Sequence, residues 1–118
     1  MILVDTSVWI AHFRKGEPRL AALLEDTQVL THPFIVGELA LGSLERRSEI
    51  LEALDNLPSS PEATHSEVIS LVDQHDLAGS GIGWVNAHLL ASALLSDSPL
   101  WTLDKRLSSA TSRLGLSV

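Results

Sequence analysis

Short apolar runs alternate with longer amphipathic stretches along this chain. Met1-Ile2-Leu3-Val4-Asp5 and Leu100-Trp101-Thr102-Leu103-Asp104 each read as a strand that closes on an aspartate. After the first run, Ser7 to Phe13 reads as a short helix, broken at Gly16-Glu17-Pro18. Pro18 opens a second helix through Leu20, Leu23 and Leu24, since proline is tolerated in a first turn. Gln28 to Thr31 predicts a short strand, and a helix from Pro33 carries Glu38 to about Leu44. Arg46 to Leu57 is more cleanly amphipathic, with Ile50, Leu51, Leu54 and Leu57 on one face. Pro58-Ser59-Ser60-Pro61 is a loop, Glu62 to His65 a weak strand, and Ser66 to Val72 the start of another helix. Past the Ala78–Gly83 loop, Trp84 to Leu95 is apolar nearly all round, the pattern of a helix buried in the middle of a domain. A short helix near Leu107 and a last strand at Leu116 to Val118 complete the series. Strands alternating with helices imply an α/β fold with a parallel sheet covered on both faces.

At 118 residues the chain reads as one domain, 1–118, long enough to bury a core. A hydrophobic share of 45% argues against disorder. Cysteine is absent, which excludes disulfide stapling and thiolate metal sites and fits a reducing compartment. The first residues lack the basic and long apolar segments of a secretory signal, and no run reaches the roughly 20 residues of a membrane span. A cytoplasmic protein without a membrane segment is the resulting expectation. The net charge of −7 argues against coating nucleic acid by bulk electrostatics. It leaves room for an enzyme that meets phosphates through a cation held by acids. Arg14-Lys15 with Arg19, Arg46-Arg47 and Lys105-Arg106 are most simply solvated helix ends.

The carboxyl ends of parallel strands are where open α/β sheets bind ligands. Taken alone, Asp5 and Asp104 are simply explained as helix caps. Glu38 shifts that balance, because its neighbours three and four positions away are apolar apart from Gly42, which puts a carboxylate on a stripe expected to be buried. The Gly79-Ser80-Gly81-Ile82-Gly83 loop lacks a P-loop lysine and the dinucleotide spacing, so its role is to deliver the following helix, whose first turn carries Asn86. An ordinary polar residue near a helix start is the plain account of Asn86. The five histidines show no zinc spacing; His12, His75 and His88 are expected on helix surfaces or in local hydrogen bonds. No serine sits in a nucleophile elbow. Hard oxygen ligands without sulfur suit magnesium or manganese.

The opening Ile2-Leu3-Val4-Asp5-Thr6-Ser7, the Glu38 helix, Gly81-Ile82-Gly83-Trp84-Val85-Asn86-Ala87 and Thr102-Leu103-Asp104-Lys105-Arg106-Leu107 resemble PIN-domain ribonucleases. The nearest likeness is to the small VapC-type toxins of bacterial type II toxin–antitoxin pairs, and it covers essentially the whole chain. The resemblance implies a PIN-like three-layer sandwich around a short parallel sheet, with magnesium or manganese held by acids at the strand ends. It implies cleavage of RNA, often a structured one such as transfer RNA. Asp5, Glu38 and Asp104 match the family's acids, and Asn86 falls where another aspartate is usual. Thr6 or Ser7, and Thr102, match polar positions that orient the acids or water. The resemblance also implies a homodimer and a cognate antitoxin covering the site. The early helices with Trp9, Phe13, Leu20 and Leu24, and the Ile50–Leu57 helix, are candidate contact surfaces, although such stripes are more often core.

The leading expectation is a divalent-metal-dependent endoribonuclease. Asp5, Glu38 and Asp104 would be its metal ligands, with Thr6, Ser7 and Thr102 behind them and Lys105 and Arg106 guiding the RNA backbone. Asn86 keeps an acceptor oxygen but loses a charge and cannot take a proton. Between unit charges about 4 Å apart that loss is on the order of 4 kcal/mol at an effective dielectric near 20, so weak metal binding and low activity are expected. The alternative is a PIN-like binding module without turnover. A phosphoacceptor role for Asp5 or Asp104 is disfavoured, because three acids serve a cation better than an acceptor.

Overall fold

Three short apolar segments pair in parallel in the order β2-β1-β3, in a computed structural model that describes residues 1–118. They are β1 (Ile2–Val4), β2 (Val29–Leu30) and β3 (Leu100–Trp101). Ile2 pairs with Val29 and Leu3 with Leu30 on one side; Leu3 pairs with Leu100 and Val4 with Trp101 on the other. One further bond, from Asp5 N–H to the Trp101 carbonyl at 2.9 Å, carries the ladder just past β1. Leu3 and Val4 point to opposite sides of the sheet and both are fully buried, so both faces are covered.

Around the sheet lie α1 (Thr6–Lys15), α2 (Pro18–Glu25), α3 (Pro33–Leu41), α4 (Arg47–Asp55), α5 (His65–Gln74), α6 (Trp84–Ser96) and α7 (Lys105–Arg113). This is the α/β fold with a covered parallel sheet expected of the alternating pattern, and it agrees with the PIN-like sandwich that the family resemblance implies. In α6, Ala87 through Ala93 are all buried, and the helix packs against α5 and β3. Trp9, Leu20 and Leu54 belong to the core, while Phe13, Leu24 and Ile50 are half-buried at its margin and line a cavity of about 210 Å³. No helix is long and apolar enough to cross a membrane.

Two expected strands are absent. Residues 62–65 form no ladder: the extended stretch leads into Thr64, which caps α5 through reciprocal bonds with Glu67 at 2.8 and 3.1 Å. The pairing partner of Thr31 is instead Ser59, in an isolated parallel bridge. Leu116 to Val118 makes a single backbone bond to the sheet, Leu100 N–H to the Leu116 carbonyl at 2.9 Å, too little for a strand, while Leu116 N–H turns back to the Thr111 carbonyl at 2.8 Å. The Glu38 helix stops at Leu41 rather than Leu44, because Arg47 donates twice to the Ala40 carbonyl, at 3.0 and 3.1 Å, and closes that end. The basic pairs otherwise behave as helix ends: Arg14 and Lys15 sit in the last turn of α1, and Arg46 pairs with Glu49.

Candidate functional site

Asp5 and Asp104 emerge from adjacent parallel strands, and Glu38 from the helix that follows the third, so all three stand at the carboxyl end of the sheet. Asp5 is buried, only 4% exposed. Its Oδ2 accepts from the Ser7 hydroxyl at 2.7 Å and from the Thr102 hydroxyl at 2.8 Å. The same two hydroxyls hold the next turn: Leu103 N–H donates to Ser7 Oγ at 2.9 Å and Asp104 N–H to Thr102 Oγ1 at 3.0 Å. Asp104 Oδ1 accepts from Leu107 N–H at 2.9 Å and caps α7. Capping and a site role are therefore not exclusive for Asp104, since one oxygen serves each.

Glu38 is exposed, not on the buried stripe the spacing suggested. Ile35 and Leu39 carry the core contacts of α3, and Glu38 lies off that face, where the Thr6 hydroxyl donates to its Oε1 at 2.8 Å. Glu38 is therefore not buried as expected, and it is the Thr6 bond that places it at the start of α1.

Each carboxylate leaves one oxygen without a hydrogen bond: Oδ1 of Asp5, Oε2 of Glu38 and Oδ2 of Asp104. The single salt bridge of the chain, Arg46–Glu49, involves none of them. A buried carboxylate without a counter-charge is costly, and a hard cation relieves it. The donor chemistry fits magnesium or manganese. The side chains are not gathered closely enough for three to ligate one ion directly. A shared ion would be reached partly through water, which magnesium readily retains.

Asn86 is the third residue of α6, half-buried, and its side chain makes no hydrogen bond. The start of α6 is tied to the start of α7 by Arg106, whose guanidinium lies against the backbone of Gly81. A Cβ there would stand 2.6 Å from Arg106 Nη1, and Gly81 has φ +85°. Arg106 lies beside this loop without a hydrogen bond or ion pair, and both it and Lys105 are exposed.

Two features escaped the sequence reading. His88 is buried rather than on a helix surface, because α6 runs through the centre; its ring packs edge-on between Phe34 and Trp84 at 4.9 Å from each. His32 joins this cluster through Phe34, caps α3 by accepting from Phe34 N–H at 3.0 Å, and has a buried, unpartnered Nε2. Burial pushes the His32 pKa down, with nearby Glu62 opposing and His88 assisting. The other is Arg19, held over the Trp101 ring at 5.2 Å. No local spacing connects residues 19 and 101; an aromatic directly before Thr102 was the only available signal. His12 makes a local bond as expected, accepting from Glu17 N–H at 3.1 Å.

Residues 2–112 match the family model for the PIN domain. The chain belongs to the PIN-domain family. Among curated relatives of this PIN-domain protein is Ribonuclease VapC32 of Mycobacterium tuberculosis, in strains CDC 1551 / Oshkosh and ATCC 25618 / H37Rv. Each is 48% identical over 119 residues, spanning 100% of this chain and 96% of the relative. The likeness to a VapC-type PIN ribonuclease therefore runs the full length of the chain.

Proposed function

We propose that this PIN-domain chain is a divalent-metal-dependent endoribonuclease, the toxin of a cytoplasmic toxin–antitoxin pair, acting on RNA such as a structured transfer RNA. The observation that carries the reading is Asp5: buried, without a cationic partner, clamped by two hydroxyls, and with one oxygen free. Full-length identity to a protein named a ribonuclease supports the reaction class.

Asp5, Glu38 and Asp104 would hold magnesium or manganese. When bound, the ion would make a water nucleophilic near neutral pH and offset charge on the scissile phosphate. The chain's own part is orientation. Ser7 and Thr102 fix the Asp5 carboxylate, Thr6 fixes Glu38, and the Leu107 amide fixes Asp104. Asn86 offers an oxygen but neither charge nor a proton acceptor, so we assign low activity to this chain. Lys105 and Arg106, both exposed and without an ion pair, would meet the RNA backbone. A single PIN-like domain, a homodimer and a cognate antitoxin complete the proposal.

Total RNA incubated with this chain and with its Asn86→Asp form, in magnesium, manganese or chelator, tests it. The aspartate form should cut at least about tenfold faster, and only with metal. Cleavage that persists in chelator overturns the mechanism. Absence of cleavage by either form favours a binding module instead.

A further inference from the structure

Beside the acids lies a second polar feature, a cleft of about 230 Å³ lined by Arg19, Trp101, Thr102, Ser108 and Ser117, among others. Thr102 belongs to both: it lines this cleft and donates to Asp5 Oδ2 at 2.8 Å. The cleft therefore adjoins the acid centre directly. Arg19 is exposed, and its guanidinium sits 5.2 Å from the centre of the half-buried Trp101 ring. It has no carboxylate partner, since the only salt bridge is Arg46–Glu49, and Glu17 beside it is engaged with the Arg19 backbone amide at 3.4 Å. In a chain of net charge −7, an uncompensated guanidinium fixed over an aromatic ring next to serine hydroxyls is a feature suited to an anion.

We propose that Arg19, held by Trp101, binds a backbone phosphate of the RNA next to the one presented to the acids, with Ser108 and Ser117 supplying further donors. The inference rests on the ribonuclease reading and says on which side of the acids the strand runs: along the β3 edge, past Thr102. A guanidinium fork matches a phosphate bidentately, and stacking fixes its plane before the RNA arrives. The contact positions the strand and reads no bases.

Fluorescence anisotropy with a labelled single-stranded oligoribonucleotide in magnesium, over a series of salt concentrations, tests the cleft. The low activity assigned to Asn86 keeps the RNA whole, which a gel of the recovered RNA verifies. Arg19→Ala should weaken binding about 5- to 10-fold and flatten the slope of log affinity against log salt by about 0.7. Arg19→Lys should keep the slope and lose part of the affinity. Arg113→Ala, which removes a side chain held by the His75 carbonyl, should bind like the parent. If Arg19→Ala binds like the parent while the Asn86→Asp form still cuts with metal, the cleft proposal is overturned and the nuclease stands. If the parent binds no RNA and the Asn86→Asp form does not cut, both fall.

Discussion

At the scale of single residues, Thr102 shares with Ser7 the largest number of polar contacts in the candidate site. Its hydroxyl donates to Asp5 and accepts from the Asp104 amide, so it couples the ends of two strands. Thr102→Val should lower stability by about 1 kcal/mol in thermal unfolding. It should also slow cleavage by the Asn86→Asp form about tenfold, the usual effect of losing an outer-shell partner. An unchanged rate would mean that Thr102 does not orient Asp5. Gly81 is the second informative position. Gly81→Ala meets both a left-handed backbone and the Arg106 guanidinium, and should destabilise by about 1–2 kcal/mol. Asp5 and Asp104 were legible in the sequence because each closes an apolar run, which is a local signal. Glu38 was selected for a burial it does not have, and the Arg19–Trp101 pair depends on the fold alone.

At the scale of elements, the helices were legible where caps and periodicity agree, and the weak strands were not. An extended stretch such as residues 62–65 looks the same in sequence whether it joins a ladder or leads into a cap. Thr64→Ala removes the cap that replaced the expected strand. It should reduce stability by about 1 kcal/mol in urea unfolding and leave RNA cleavage unchanged. The start of α3 carries a pH dependence. Burial disfavours the charged form of His32 and puts its pKa below the ordinary 6.5, so the unfolded chain binds the extra proton first. Its contribution is complete above about pH 6.5 and is lost as pH falls through the lowered folded value. Urea midpoints should therefore drop between pH 8 and pH 5, and His32→Asn, which can still cap, should drop less. Equal drops in the two proteins would remove His32 from this account.

At the scale of the whole molecule, a three-stranded sheet brings to its carboxyl end acids that are far apart in sequence; hydroxyls hold one oxygen each of Asp5 and Glu38, and the Leu107 amide holds one of Asp104. The remaining oxygens, in a chain with net charge −7 and no cation paired to those acids, are the ones the proposed divalent ion would use. The alternation of strands and helices was enough to read the α/β layout, and the PIN-domain match over residues 2–112 agrees with it. Which hydroxyl serves which acid required the structure. The most direct measurement is calorimetric titration of manganese into this chain and into Asp5→Asn, with thermal unfolding showing that both are folded. Manganese should bind the parent, and should bind Asp5→Asn at least about tenfold more weakly, through the loss of one ligand charge. No binding by the parent, or equal binding by the two, would contradict the proposed metal site.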